Sequence, residues 1–222
     1  MIDFEPKYIS FDMHGTLIRW QIVDLTRKLL ADIVPAEQMD AVIAGFKWQR
    51  LDEVLGPWKP LPDVIHDSLR KTLERFDLPY RKSDSQAIAD AIPTWGPYEE
   101  VPEALRALAS KYPLVILTNS DNNAVMKNVE KLGAPFHAVL TAEDAQAYKP
   151  RYQAFEYMFK QLNCRPEDVL HVSGSPRYDL MVAQELGVKN TVFVNRGYEL
   201  PTPAYNFRQI ELLSDLPPLL GI

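Results

Sequence analysis

Four short runs of apolar and β-prone residues recur along the chain, and each stops at a polar or small residue. They cover positions 8–11, 114–117, 169–172 and 191–194. Unbroken apolar runs of this length are typical of strands that are buried on both faces. The pattern therefore predicts four strands of a parallel sheet.

Amphipathic segments precede the second run and separate the runs that follow it. Helices are predicted over 102–110, 122–132, 152–162 and 178–186. Strands that alternate with helices imply an α/β fold, in which right-handed crossovers join parallel strands. We expect a Rossmann-like core, with a parallel sheet flanked by helices.

The stretch between the first two runs breaks this alternation and is helical in pattern. Its amphipathic segments lie at 21–33, 36–54, 61–76 and 82–91. We predict a Rossmann-like catalytic core of residues 1–19 and 97–222, and a helical cap domain of residues 20–96 inserted after the first strand. Because ligands bind at the carboxyl ends of parallel strands, the cap is expected to cover that edge and to exclude water.

The composition of the chain limits its possible binding partners and its expected cellular compartment. The net charge of −6 argues against a nucleic-acid partner, which a basic surface would favour. No apolar run approaches the length that spans a bilayer, and the first residues lack the features of a signal peptide. Cys164 is the single cysteine, so an internal disulfide is excluded. These features predict a cytoplasmic protein with neither a nucleic-acid nor a membrane partner.

Polar residues gather where the predicted strands end. The segments 11–17 (FDMHGTL), 117–119 (LTN), 148–150 (YKP) and 172–179 (VSGSPRYD) resemble, in order, the four motifs of the haloacid dehalogenase superfamily. Segments 96–102 and 194–196 are similar to type II L-2-haloacid dehalogenases. This resemblance implies a hydrolase of the (S)-2-haloacid dehalogenase type and a homodimer.

The resemblance also implies a reaction and roles for three side chains. Asp12 would attack a saturated carbon of a small-molecule carboxylate substrate and form an aspartyl ester. Lys149 would be the nearby cation that keeps the pKa of Asp12 low. Asp179, oriented by Ser173 or Ser175, would be the general base that activates water against the ester.

Several residues are candidates for binding the substrate. The hydroxyl of Thr118 and backbone N–H groups near His14 or Thr16 would hold its carboxylate, and Asn119 would donate to a departing halide. The dehalogenases also use an arginine of the cap. Spacing puts Lys47 at that position, but Arg50 lies one helical turn further on nearly the same face. The sequence does not choose between these two cations.

Three positions depart from the family patterns. His14 stands where phosphatases of the superfamily have a second aspartate and where dehalogenases have a tyrosine. Gly174 replaces an acidic residue of the phosphatase motif, and Phe155 replaces a tyrosine of the dehalogenases. Because Mg²⁺ requires several oxygen ligands, Asp12 and Asp179 alone make a poor site. We therefore expect neither a metal nor another cofactor.

Three other functions stay open at this point. His14 would suit a related hydrolase of C–N or C–O bonds, such as those of an azetidine carboxylate, by protonating the leaving group. A magnesium-dependent phosphatase is the second alternative, and a degenerate member that only binds a ligand is the third. The remaining histidines, which are His66, His137 and His171, show no metal-ligand spacing and are interpreted as structural.

Overall fold

The computed structural model describes residues 4–222, which divide into two compact units. One unit contains the chain up to Arg19 together with Gly96–Ile222, and the other is Trp20–Trp95. Gly96, which the sequence assigned to the insertion, belongs to the first unit. Within residues 4–222, no helix is both long and apolar enough to cross a membrane.

A six-stranded parallel sheet organises the first unit. Its strands are β1 (Tyr8–Phe11), β2 (Leu114–Thr118), β3 (Ala138–Thr141), β4 (Val169–Ser173), β5 (Asn190–Val194) and β6 (Arg208–Ile210). They lie in the order β3-β2-β1-β4-β5-β6, and every neighbouring pair is parallel. The chain winds outward in both directions from the middle of the sheet, so a crevice opens at the carboxyl ends of β1 and β4.

Four helices form the second unit, at the places that the amphipathic pattern indicates. They are α1 (Ile22–Leu30), α2 (Met39–Leu55), α3 (Leu61–Arg75) and α4 (Lys82–Ala91). Glu53 of α2 is nearly buried and accepts hydrogen bonds from Lys59 and Lys71, each at 2.5 Å. Burial raises the pKa of Glu53, but the two lysines outweigh it and lower the pKa overall. This cluster therefore ties α2 to α3 through ionised groups.

Six further α-helices accompany the sheet among residues 4–222: α5 (Val101–Ala109), α6 (Asn122–Leu132), α7 (Ala142–Ala145), α8 (Tyr152–Gln161), α9 (Met181–Glu185) and α10 (Leu216–Leu219). Local chemistry sets the ends of α6. The carboxylate of Asp121 accepts from the N–H of Ala124, and Gly133 adopts a left-handed φ of 63°.

The core explains why β2 and β4 are mainly apolar. All five residues of each strand are buried, and Val115 and Val169 pack in one cluster with Phe155 and Met158 of α8. Each apolar group is removed from water on a face that helices cover. The predicted α/β Rossmann-like core is confirmed.

Three parts of this unit differ from the sequence-based expectation. The strands β3 and β6 were not predicted, because β3 is only half buried and β6 begins with the exposed residues Arg208 and Gln209. The helix expected over 178–186 is a wide π-helical turn, Pro176–Leu180, followed by α9. The N–H of Leu180 donates to the carbonyl of Ser175, five residues earlier. A helical periodicity near 3.6 residues cannot reveal such a turn.

Candidate active site

Asp12 directly follows β1 and occupies the crevice at the centre of the sheet. Its backbone N–H donates to the carbonyl of Val172 at 3.0 Å and so extends the pairing of β1 with β4. Its Oδ1 accepts from Nζ of Lys149 at 2.9 Å, and its Oδ2 accepts from the hydroxyl of Thr16 at 2.6 Å. The residue is 8% exposed, so the carboxylate is largely buried but keeps a small solvent-accessible surface.

Lys149 is a buried cation held by three acceptors. Its Nζ donates to Oδ1 of Asp12 at 2.9 Å, to Oδ1 of Asp179 at 2.6 Å and to the carbonyl of Leu117 at 2.8 Å. An ammonium group has three N–H bonds, so all of them are engaged. Because the side chain is only 1% exposed, this geometry fixes its charge between the two carboxylates.

Asn119 clamps the backbone of Lys149. Its Nδ2 donates to the carbonyl of Lys149 at 2.8 Å, and the N–H of Lys149 donates to its Oδ1 at 2.7 Å. The carboxamide thereby fixes the segment that carries the cation against the end of β2. This positioning role was not foreseen, and the predicted contact of Asn119 with a halide stays a prediction.

Asp179 lies in the π-helical turn, and its two oxygens differ sharply. Oδ1 accepts from Lys149 at 2.6 Å and from Nε2 of His171 at 3.0 Å. Oδ2 is buried and has no hydrogen-bond partner among the described residues. A buried oxygen in this state is costly, and it marks a place where a polar ligand or water would be accepted.

His171 belongs to this site although the sequence indicated a structural role. It lies on β4 beside Ser10 of β1, whose hydroxyl is hydrogen-bonded to Nδ1 at 2.7 Å. Its ring is fully buried and meets Phe155 edge to face, with centroids 5.3 Å apart. A histidine inside an otherwise apolar strand, two residues before Ser173 and therefore on the same face, was the signal that would have found it.

The charges of this cluster shift three pKa values. Burial raises the pKa of Asp12, and repulsion from Asp179 adds to this rise against the effects of Lys149 and Thr16. Burial also raises the pKa of Asp179, but Lys149 and His171 outweigh this effect, so the pKa of Asp179 is lowered overall. The pKa of Lys149 is raised, because the two carboxylates overcome its desolvation. Lys149 lowers the pKa of Asp12 as expected, but burial of the carboxylate outweighs this effect, so the pKa is raised overall and the expectation of a low pKa was wrong.

Thr16 orients Asp12 and is itself oriented by the fourth motif. Its hydroxyl donates to Asp12 and accepts from the N–H of Gly174 at 2.7 Å. Its own N–H donates to the carbonyl of Met13 at 3.3 Å. Both groups are thus engaged within the protein. The expected contact of this segment with the substrate stays a prediction.

Arg196 fixes the loop that carries Thr16. Its Nε and one terminal nitrogen donate to the carbonyl of Thr16 at 3.2 and 3.0 Å. The same guanidinium forms an ion pair of 2.7 Å with Glu100 and lies 3.8 Å from the ring centroid of Tyr98. The loop after β1 is therefore held by an almost buried cation.

The hydroxyls of Ser173 and Ser175, which were expected to orient Asp179, bond to other groups than its carboxylate, although the carbonyl of Ser175 accepts from the backbone N–H of Asp179 at 3.2 Å. The hydroxyl of Ser173 accepts from the N–H of Ser175 at 2.9 Å. The hydroxyl of Ser175 accepts from the N–H of Tyr178 and donates to Glu199, each at 3.0 Å. Both serines shape the π-helical turn, and a substrate contact for either stays a prediction.

Two hydroxyl groups follow the same sheet edge at the end of β2. Thr118 and Ser120 are nearly fully buried, and their Oγ atoms have no hydrogen-bond partner among residues 4–222. Since a buried hydroxyl normally finds a partner, these atoms are suited to bind an anionic ligand. Thr118 was predicted in this role, whereas Ser120 was not.

His14 is a half-buried, neutral imidazole. Its Nε2 lies 3.2 Å from Oδ1 of the buried Asn128 on α6, so this nitrogen carries the proton and donates. Burial lowers its pKa to about 4, and the charge of Lys149 adds to the effect against the bond to Asn128. His14 is therefore almost entirely in its uncharged form at neutral pH.

Lys47 and Arg50 belong to the helical unit, and each lies over an aromatic ring. Nζ of Lys47 is 5.1 Å from the ring centroid of Trp48. The guanidinium of Arg50 is 4.4 Å from the ring of Phe46 and 5.8 Å from that of Trp20. Their contact with a substrate stays a prediction.

The donor set does not fit a magnesium ion of the phosphatase kind. A Cβ at Gly174 would lie 2.3 Å from the carbonyl oxygen of Gly15, so an acidic side chain has no room there. Asp12 and Asp179 both accept from Lys149 instead. Among the described residues, no group of three or more His, Cys, Asp or Glu side chains is placed to hold a metal.

Comparisons with known proteins agree with this architecture. An (S)-2-haloacid dehalogenase of Pseudomonas putida is 25% identical over 187 residues, which are 81% of this chain and 80% of that protein. The pyrophosphatase PpaX of Anoxybacillus flavithermus is 27% identical over 222 residues, or 96% of each chain. The L-2-haloacid dehalogenase of Xanthobacter autotrophicus with chloropropionic acid covalently bound has a TM-score of 0.77 and 19% identity, and the match covers 98% of this chain and 99% of that one. This last likeness shows the fold.

A family model sets the assignment. The model of haloacid dehalogenase-like hydrolases matches residues 6–187, a span that includes Asp12, Lys149 and Asp179. Because the match extends over most of the chain and over every motif that forms the crevice, the protein belongs to the haloacid dehalogenase-like hydrolase family.

Proposed function

We propose that the protein hydrolyses the carbon–halogen bond of a small L-2-haloacid through an aspartyl ester, without a metal. The observation that carries this proposal is the buried carboxylate of Asp12, held by Lys149 and Thr16 beside a second carboxylate, Asp179. A fixed and desolvated carboxylate is a nucleophile suited to a saturated carbon. The names of relatives such as the dehalogenase of Pseudomonas putida agree with this substrate class.

The first step is a displacement at the carbon that bears the halogen. One oxygen of Asp12 forms a bond to C2 of the substrate, and the halide leaves with the bonding electron pair. No proton moves, so no general acid is needed. Thr16 and Lys149 keep the carboxylate aimed while its charge passes to the leaving halide.

The second step hydrolyses the ester. Water attacks the carboxyl carbon of Asp12 while Oδ2 of Asp179, which has no protein partner among the described residues, takes one proton. Asp179 returns that proton to the alcohol oxygen of the product. The remaining proton is released when Asp12 ionises again. The products are a 2-hydroxy acid, a halide ion and a proton, and Asp12 retains one oxygen from water.

The buried hydroxyls of Thr118 and Ser120 support binding of the substrate carboxylate. Each would donate one hydrogen bond to it and so find the partner that the protein does not supply. The Asp12, Asp179 and Lys149 side chains together carry one net negative charge when ionised. Neutral donors are therefore needed to place an anion here, since the cluster itself repels it.

Two rival functions are less well supported. A C–N or C–O hydrolase would need His14 as a proton donor, yet its pKa of about 4 leaves it neutral at working pH. A magnesium-dependent phosphatase would need an acidic ligand at position 174, where Gly174 meets the backbone of Gly15.

A substrate panel tests the proposal. Wild type and Asp12→Asn are incubated with 2-chloropropionate enantiomers, an azetidine carboxylate and phosphate esters, with and without EDTA. We expect chloride release from the L enantiomer that EDTA does not reduce and that Asp12→Asn abolishes. Single turnover in oxygen-18 water should place label in Asp12. Phosphate release that EDTA stops, or an unlabelled Asp12 during turnover, would sink the proposal.

A further inference from the structure

We infer that His171 is a positioning residue for Asp179, and that the pair Ser10–His171 holds this carboxylate for the hydrolysis of the ester. The inference rests on the proposed function, because it assigns His171 to the second of its two steps. His171 lies on β4 and is reached neither by solvent nor, in the proposed mechanism, by substrate. It acts through Asp179 alone.

Hydrogen-bond donors fix the state of the imidazole. A carboxylate only accepts, so Nε2 of His171 carries the proton that it donates to Oδ1 of Asp179 at 3.0 Å. On the other side of the ring, Nδ1 lies 2.7 Å from the hydroxyl of Ser10 on the neighbouring strand. Ser10 thus holds the imidazole in the orientation that presents Nε2–H to Asp179.

Two donors on the same oxygen determine how Asp179 is turned. Nζ of Lys149 and Nε2 of His171 both reach Oδ1. Rotation of the carboxylate would break both bonds, and Oδ2 is thereby kept as the oxygen without a protein partner among the described residues. That oxygen is the one that takes a proton from water. Lys149 alone would not fix the orientation, because its ammonium also serves Asp12.

Phe155 packs against the ring of His171. Because the surroundings of His171 include this aromatic contact, a ring of similar shape can replace the imidazole. The two rings meet edge to face at 5.3 Å, within the apolar cluster around α8. Phe155 has no hydrogen-bonding group, so the bond to Asp179 comes from His171 and not from α8. Exchange of His171 for phenylalanine removes the donor while it keeps an aromatic side chain in the cluster.

Three variants separate positioning from packing. His171→Phe keeps the ring and loses both polar atoms. His171→Gln keeps an N–H donor near the place of Nε2, and Ser10→Ala removes the hydroxyl that holds the ring. The two rate constants are measured separately: halide release in the first turnover reports ester formation, and mass spectrometry of the Asp12 peptide reports the ester that remains. The probe is L-2-chloropropionate with the full chain.

We expect His171→Phe to form the ester at a rate within about threefold of wild type but to hydrolyse it about 10- to 100-fold more slowly, as for the loss of one hydrogen bond to a charged group. The ester should therefore accumulate during turnover. His171→Gln should restore hydrolysis to within about fivefold of wild type, and Ser10→Ala should slow hydrolysis by roughly 3- to 10-fold. These variants decide the question even if His171→Phe does not fold.

The results that would overturn the inference can be told apart from those that would overturn the proposed function. Equal slowing of both steps in His171→Phe, equal defects in the Phe and Gln variants, or unchanged ester hydrolysis in Ser10→Ala would each overturn the inference. If wild type itself shows no oxygen-18 label in Asp12, the proposed function fails and the inference fails with it. If wild type is labelled but the variants hydrolyse the ester normally, the inference alone fails.

Discussion

The Oδ1 atoms of Asp12 and Asp179 accept hydrogen bonds from the same ammonium group, that of Lys149, at 2.9 and 2.6 Å. All three side chains are nearly removed from water. Each carboxylate therefore depends on the cation for its charge, and the cation depends on both carboxylates. Removal of any one member changes the ionisation of the other two.

Lys149→Met should destabilise the protein at neutral pH. The substitution leaves two buried carboxylates close together without their cation. Removing one partner of a buried ion pair lowers the free energy of unfolding by about 3–5 kcal/mol. The pKa values of both carboxyl groups should then rise, so the loss shrinks as the pH falls and the groups take up protons. Urea denaturation at several pH values measures this.

A double-mutant cycle is the control for that prediction. Asp179→Asn removes one of the two carboxylates, so Lys149→Met should cost less in this background than in wild type. Equal costs in both backgrounds would contradict the coupling between Lys149 and Asp179.

Asp12→Asn should abolish turnover and yet keep or raise stability. Burial and repulsion from Asp179 raise the pKa of Asp12, so its ionised form is held against its own preference. A neutral amide of the same shape removes that repulsion and leaves the pair of Lys149 and Asp179 in place. Thermal unfolding should give a Tm at or above that of wild type, and a Tm lower by several degrees would count against this account.

The pH profile of kcat/KM should have an acid limb that is set by the ionisation of Asp12. The nucleophile must be ionised, so kcat/KM should fall as the pH drops through a pKa that lies above the ordinary 3.8. Thr16→Val removes a hydrogen bond that lowers this pKa, and the limb should therefore move to higher pH. Thr26→Val is the matched control, because Thr26 is equally buried but donates to the carbonyl of Ile22 in the helical unit.

His14 should not titrate near neutral pH. With a pKa of about 4, only about one molecule in a thousand carries an imidazolium at pH 7. His14→Tyr should therefore retain haloacid turnover, and NMR of the ring should show no titration between weakly acidic and weakly basic pH. A reaction that needs protonated His14 would instead lose activity as the pH rises through about 4.

Gly174→Ala should destabilise the fold and disturb Asp12. The added Cβ meets the carbonyl oxygen of Gly15 at 2.3 Å, so the backbone must move. Overpacking of this kind typically costs about 1–3 kcal/mol. The shift should also weaken the bond from the N–H of Gly174 to Thr16. Gly96→Ala is the control, because its Cβ meets nothing within 4 Å; equal losses of stability would refute the steric explanation.

Local sequence patterns were sufficient for the strands that carry the site. The apolar runs ending at Asp12, Thr118 and Ser173 correspond to β1, β2 and β4, which are the central strands of the sheet. Burial on both faces leaves a strong signal in the sequence. The strand β6 left none, because an exposed edge strand needs few apolar residues.

The partners of the site residues were less predictable. Asp12 and Lys149 were found from motif positions, but the hydroxyls of Ser173 and Ser175 make no bond to the carboxylate of Asp179 that they were expected to orient. The π-helical turn directs their hydroxyls elsewhere, and His171 reaches Asp179 from the strand. Such contacts depend on the register of Ser10 beside His171 across two strands that are far apart in the chain. Spacing along a sequence does not contain that information.

The close approach of Gly174 to Gly15 has a consequence for how this protein can evolve. Once a side chain is absent at position 174, the loop after β1 settles into the vacated space, and its carbonyl occupies the place of a Cβ. An acidic residue introduced at position 174 would clash with that carbonyl before it could bind a metal ion. A magnesium site of the phosphatase kind would therefore need a second change that moves the backbone of this loop, because substitution at position 174 alone is not enough.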